Sequence, residues 1–220
     1  MKKDFKKGLD EIIILAQGPS WYQAPQKAPE NTEIWGSNII YREGNKVDRL
    51  FVGHDIRILM LHDDPDFVKN VNELDVPIYT TGRFKCLKND FPIPINEIMD
   101  KFHTAFFLNI IAYMIATAIL QKPKKISIYG VDMRPDAGNE TYSNEKGSVE
   151  FWLGVAMGQG IEIINTKESF VLKTKQEGDF KNKREKVPQI GLYTQIPQAE
   201  RNPIGIQNYI ILPDPLGSEI

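Results

Sequence analysis

Four short segments set a glycine and polar side chains directly after an apolar run: Gln17-Gly18-Pro19-Ser20, Gly36-Ser37-Asn38, Gly53-His54-Asp55 and Gly130-Val131-Asp132. A glycine lets backbone come close to a ligand, and the N–H groups and hydroxyl beyond it can hold phosphate oxygens. Gln17-Gly18-Pro19-Ser20 therefore reads either as an anion-binding turn or as a plain Gly-Pro turn. Its spacing matches neither G-x-G-x-x-G nor the P-loop, whose lysine it lacks. Asn38 offers both a donor and an acceptor to a ribose or a base, and suits a turn equally well. His54 is placed to act at a ligand site. Asp132, just past a glycine, stands where open α/β sheets keep polar groups for substrate hydroxyls or catalysis. A further segment, Glu150-Phe151-Trp152-Leu153-Gly154, supplies a carboxylate. Glu150 could serve as a general base if burial raised its pKa, or simply as a helix-dipole partner.

Other constellations carry less. His54-Asp55 and His62-Asp63-Asp64 raise the question of a metal, but no H-E-x-x-H or comparable spacing occurs, so none is expected. Asp63-Asp64-Pro65 reads instead as the cap of a helix. No spacing certifies a Ser-His-Asp or Cys-His nucleophile. Cys86, in Lys85-Cys86-Leu87-Lys88, reads as an incidental thiol, and as the single cysteine it cannot form an internal disulfide.

The elements that must position these residues alternate between strand and helix. Glu11–Leu15 is a continuous apolar run broken by Gly18-Pro19, as expected of a central parallel strand. Residues 32–36, 49–53 and 126–129 read as further strands, each ending at a glycine, and 161–164 as the last. Residues 76–80 form a weaker strand, demoted by Pro77 to an edge or lead-in position. The stretch from Ala105 to Leu120 is apolar nearly all round, which predicts a helix sandwiched inside the domain. Ser148 reads as the N-cap of a second helix, from Val149 to about Met157. This alternation predicts an α/β fold with an open, mostly parallel Rossmann-like sheet and helices on both faces. Right-handed crossovers then bring the glycine-bearing loops to one edge, where such sheets bind ligands.

Bulk properties narrow the classes. The chain has 220 residues, 41% of them hydrophobic and 25% charged, and a net charge of -2. That balance gives no electrostatic reason to expect nucleic acid or an acidic membrane surface. The apolar stretch before Gln121 falls short of the roughly 20 residues a membrane span needs, and the basic N-terminus leads into too short an apolar run for a signal peptide. A cytoplasmic protein is expected. Residues 1–172 are read as one nucleotide-binding domain, 173–186 as a charged linker, and 187–220 as an extended Pro-rich arm. The arm packs either on its own domain or on a neighbouring subunit, in which case it builds a homo-oligomer.

Taken in order, the motifs resemble the core of the bacterial sialyltransferases of glycosyltransferase family 42. The resemblance runs through Gly18-Pro19-Ser20, Ile34-Trp35-Gly36-Ser37-Asn38, the long apolar helix, Lys125-Ile126-Ser127-Ile128-Tyr129-Gly130-Val131-Asp132, and Gly160-Ile161-Glu162-Ile163-Ile164-Asn165 with Ser169 beyond. The pattern is similar also to small phage proteins that repeat an aromatic pair before Leu-Gly, here Phe151-Trp152-Leu153-Gly154. It is similar, more loosely, to archaeal pterin pyrophosphokinases.

The family resemblance implies a nucleotide or nucleotide-sugar ligand held by Gly18, Pro19, Ser20 and Asn38, and Gly130 is taken as a further candidate contact. Gln17 stands where the family has an asparagine. Where the family opens its long helix with Thr-Ser-Gly or Thr-Ser-Ser, this chain has Leu108-Asn109-Ile110, which makes Asn109 the substitute contact. The family's catalytic histidine falls at Glu150 or Phe151, and no histidine follows His103. The expected function is a nucleotide-dependent, glycosyltransferase-like transferase with Glu150, Asp132 and His54 as its candidate catalytic groups. The alternative is a non-catalytic nucleotide-binding or virion-associated phage accessory protein, acting in the host cytoplasm and assembling through its arm.

Overall fold

The structure, a computed structural model, describes residues 8–82, 84–134 and 140–172, without the side chains of 140–144. A four-residue apolar run, Ile12 to Leu15, forms its centre. In β1 (Glu11–Leu15), Ile12 and Ile14 face one side of the sheet while Ile13 and Leu15 face the other, and all four are buried. Strand alternation with both faces covered is what produces such an unbroken apolar run. Each side chain so buried stabilises the fold by roughly 1.5–3 kcal/mol.

Around β1 lie β2 (Thr32–Ser37), β3 (Arg49–Val52), β4 (Ile78–Thr80) and β5 (Asp90–Pro92) on one side, and β6 (Lys125–Tyr129) and β7 (Glu162–Asn165) on the other. The order is β5-β4-β3-β2-β1-β6-β7, and every adjacent pair is parallel. The chain steps outward from β1 to β5, then returns to the opposite side of β1. The β1–β6 boundary is therefore the topological switch point, where open sheets leave a crevice.

Helices cover both faces. α1 (Ile56–His62) and α2 (Phe67–Glu73) bury Ile56, Leu59, Phe67 and Val71 against Leu50, Val52 and Ile78. On the other face, α3 (Ile95–Phe102), α4 (Ile110–Gln121) and α5 (Glu140–Gly158) pack with Ile12, Ile14, Trp35, Ile126 and Ile128. The α/β parallel-sheet class read from the sequence is the architecture found.

Two elements differ from expectation. α4 begins at Ile110 rather than near Ala105, because the Asn109 side chain accepts a hydrogen bond from the Ala112 N–H at 2.9 Å and so fixes the first turn. Apolar composition continues upstream of that cap, but residues 105–109 approach it as non-helical chain. α5 starts at Glu140, so Ser148 is no N-cap. Its hydroxyl, wholly buried, donates back to the Glu145 carbonyl at 2.9 Å, the local bond by which serine is tolerated inside a helix. Residues 78–80 form β4 with Pro77 immediately before the strand, which is the lead-in position and not the sheet edge. The three-residue β5 lies outside them, carrying Pro92 where an edge tolerates it, and is too short for any alternation to show.

One polar cluster is buried in the sheet. Arg49 Nε donates to Glu33 Oε2 at 2.7 Å, Arg49 Nη1 donates to the Tyr79 hydroxyl at 3.1 Å, and Trp35 Nε1 donates to Glu33 Oε2 at 2.8 Å. Burial works against the Arg49 charge, but the hydrogen bond and charge of Glu33 outweigh it and raise the Arg49 pKa. The rings of Trp35, Phe51 and Tyr79 stack in series beside this pair, with centroids 5.1 and 4.8 Å apart.

The chain divides into two units, Met1–Gln176 and Glu177–Ile220. The charged linker at 173–186, the arm at 187–220 and any oligomer built through it lie outside the described residues. Among the described residues no helix is long and apolar enough to cross a membrane.

Candidate functional site

The loops after β1 and β6 are bound to each other. Ala16 N–H donates to the Tyr129 carbonyl at 2.9 Å and Gly18 N–H to the Gly130 carbonyl at 2.7 Å. Ser20 then meets Asp132 twice: its hydroxyl donates to Oδ1 at 2.5 Å and its backbone N–H to Oδ2 at 2.8 Å. The same hydroxyl accepts from Gly130 N–H at 2.9 Å. Ser20 is 1% exposed and Asp132 3%, so these are bonds between desolvated groups. Such bonds are costly to break because a partner left behind keeps its desolvation penalty. The segment after β7 joins the same knot. Ser169 Oγ donates to the Val131 carbonyl at 2.7 Å, and Phe170 N–H to that of Asp132 at 2.8 Å.

The two glycines serve this contact. Gly130 has φ +66, and a Cβ there would lie 2.0 Å from the Ala16 carbonyl oxygen. A Cβ on Gly18 would lie 2.5 Å from the Gly130 carbonyl oxygen. Close approach of backbone to backbone, not only of backbone to ligand, requires glycine at both positions.

Beside this knot a cleft of about 870 Å³ opens at the carboxyl ends of β1, β2, β3 and β6. Gln17 and Pro19 border it from the first loop, both exposed. Asn38 holds φ +50, a left-handed conformation asparagine tolerates. Its N–H donates to the Phe51 carbonyl at 2.7 Å, and its Oδ1 accepts from Gly53 N–H at 3.1 Å. The side-chain amide is thereby oriented, with Nδ2 on the cleft wall and without a partner among the described residues.

α4 enters from the opposite wall. A Cβ on Gly53 would lie 2.7 Å from Ile110 Cβ, so the end of β3 and the first turn of α4 are in contact. Asn109, Ile110 and Ile111 all border the cleft. The positive pole of a twelve-residue helix therefore opens into it. His54, exposed, lies on the same rim. Arg134 brings a cation and Glu145 a carboxylate.

The structure thus gathers Gln17, Gly18, Pro19, Asn38, His54, Asn109, Gly130 and Asp132 around one cleft. Ser20 lies behind the wall, turned to Asp132. Glu150 stands apart: its Oε1 accepts from the Leu172 N–H at 2.6 Å and pairs with Lys146 Nζ at 3.3 Å. Because α5 begins at Glu140, Glu150 lies in the body of that helix, not in its first turn. The sequence reading missed Arg134 and Glu145. Arg134 had a signal, since it stands two residues past Asp132 at a strand end. Glu145 had none, because its position depends on where α5 starts. Among the described residues no group of three His, Cys, Asp or Glu side chains could hold a metal ion.

Solved sialyltransferase structures are similar to this chain. One is CstII from Campylobacter jejuni in complex with the substrate analogue CMP-3FNeuAc: 18% identity, 70% of this chain and 79% of that chain covered, TM-score 0.47. Another is the same enzyme in complex with cytidine-5'-monophosphate, at 16% identity over 71% and 79% of the two chains, TM-score 0.45. No protein-family model and no curated protein matches the chain.

Proposed function

We propose that the cleft binds a nucleotide or nucleotide-sugar, and that the protein is a glycosyltransferase-like transferase using it as donor. The observation that carries this reading is the pole of α4, capped by Asn109, opening into the cleft beside Arg134. A helix N-terminus and a guanidinium together favour a phosphate: the first by about 0.3–1 kcal/mol, the second through charge-assisted hydrogen bonds. Asn38 Nδ2 and the Gln17 amide then meet the ribose or base. His54, the histidine on the rim, takes the proton of the acceptor hydroxyl as that oxygen attacks the donor sugar. The sugar–phosphate bond breaks and the nucleotide leaves with its phosphate at the α4 pole. In this reading Asp132 and Glu150 act by position. Asp132 fixes the two loops, and Glu150 holds the chain at Leu172.

A thermal-shift panel of CMP, other nucleotides and their sugar conjugates tests the reading, with Arg134→Gln and Asn38→Gly alongside the parent. At least one nucleotide should raise the melting temperature of the parent, and both variants should need about tenfold more of it. No stabilisation of the parent by any member of the panel sinks the reading. Binding without turnover of any sugar conjugate would reduce the protein to a non-catalytic nucleotide binder.

A further inference from the structure

Glu145 is a carboxylate in a cleft otherwise equipped for an anion. Its Oε2 accepts from Asn109 Nδ2 at 3.4 Å, and no partner holds its Oε1 among the described residues. Asn109 Oδ1 is already committed to the α4 cap, so what that side chain offers the cleft is the two N–H groups of Nδ2, one of which is turned to Glu145. The other carboxylate bordering the cleft, Asp132, has both oxygens taken up by Ser20. Glu145 therefore brings to the α4 pole a negative charge not already engaged by a serine clasp.

We infer that Glu145 is the cleft's built-in counter-anion and sets the strength of phosphate binding there. The inference rests on the nucleotide reading above. A phosphate arriving at the α4 pole meets the charge of Glu145, held there by Asn109, at close range. Like charges in a partly desolvated cleft repel more strongly than in water. Binding therefore works against that charge, and the parent protein holds phosphate more weakly than its helix pole and Arg134 alone would allow. The same repulsion favours ligands that offset it with other contacts, such as a ribose or base at Asn38, over free phosphate or pyrophosphate. Glu145 is in this sense a specificity residue: it discriminates a whole nucleotide from its isolated phosphate.

Titration calorimetry of the full-length parent, Glu145→Gln and Glu162→Gln, at one fixed ionic strength, tests this with pyrophosphate and CMP as probes. Glutamine keeps the shape and can still accept from Asn109, so it isolates the charge. Glu162, exposed at the far end of β7, controls for the change in net charge. Glu145→Gln should tighten pyrophosphate by about tenfold and CMP by less, narrowing the gap between the two, while Glu162→Gln should track the parent. If the parent binds CMP and Glu145→Gln binds both probes no tighter, the inference falls and the nucleotide reading survives. If Glu145→Gln alone binds, the counter-anion role stands in its strongest form. If neither parent nor Glu145→Gln binds either probe, both ideas fall together.

Discussion

The loops after β1 and β6 and the loops after β2 and β3 look alike in sequence, each a glycine followed by polar residues, yet they do opposite things with those residues. In the first pair, Gly18, Ser20, Gly130 and Asp132 spend their hydrogen bonds on each other and close the switch point between β1 and β6. In the second pair, Asn38 uses one arm of its amide to tie β2 to β3 and keeps the other on the cleft. The difference teaches that a strand-end motif is a ligand contact only if its polar atoms outnumber the neighbours they must satisfy. Ser20 and Asp132 are matched donor for acceptor, and Asn38 has a donor left over among the described residues.

The largest effect should come from Gly130→Ala. The new Cβ meets backbone, at a φ that disfavours any side chain, so relief requires pulling the two loops apart. Chemical denaturation should show a loss of about 3 kcal/mol or more, a size reserved for such backbone conflicts. A loss under 1 kcal/mol would mean that the loops are not held as described. Next is Ser20→Ala, which strips one donor from a buried carboxylate and one acceptor from Gly130 N–H. A destabilisation of about 2–3 kcal/mol is expected, and nucleotide affinity of the folded fraction should stay within about twofold of the parent. An affinity loss beyond tenfold with unchanged stability would transfer Ser20 to the ligand side of the comparison.

Asn38→Gly sharpens the other side. Glycine keeps the left-handed backbone at no cost and removes only the amide. Stability should drop by about 1 kcal/mol, the worth of the bond to Gly53, while nucleotide binding weakens about tenfold. Equal binding by variant and parent in calorimetry would remove Asn38 from the site.

The smallest effect concerns a latch away from the cleft, where Asp64 accepts from the Tyr41 hydroxyl at 2.5 Å and from Asn70 Nδ2 at 3.0 Å. Burial alone would raise the Asp64 pKa; the hydrogen bonds from Tyr41, Asn70 and the Asp66 N–H together outweigh it and hold the carboxyl below 3.8. Burial and the same bond push the Tyr41 pKa well up. A carboxyl depressed on folding lends stability that is present above its unfolded value and lost as pH falls through the folded one. The latch should therefore weaken only below about pH 3.8, and Tyr41→Phe should flatten that part of the stability–pH curve. An unaltered curve in Tyr41→Phe would show that Asp64 is held by other means.

Much of the frame was legible before any coordinates. Ile12-Ile13-Ile14-Leu15 reads as a central strand because burial on both faces demands unbroken apolar residues, and residues 126–129 read as another strand, though its place beside the first is seen only in the structure. Glycines at the strand ends fixed where the loops begin, and parallel alternation put those loops on one edge. β5 was not legible, since three residues with a proline carry no period. Glu33 and Arg49 were not legible as a buried pair, since each alone looks like a surface charge at a strand start and only pairing across β2 and β3 permits their burial.

Sequence alone determined the fold class and the edge at which chemistry is possible, because periodicity and glycine placement are local properties of the chain. Tertiary structure alone decided which of the residues at that edge are occupied. Whether an aspartate is a base or a clasp depends on a serine 112 positions away, and whether a glutamate faces a cleft depends on where its helix begins. Hydrogen-bond satisfaction is a property of neighbours in space, and no spacing along the chain encodes it.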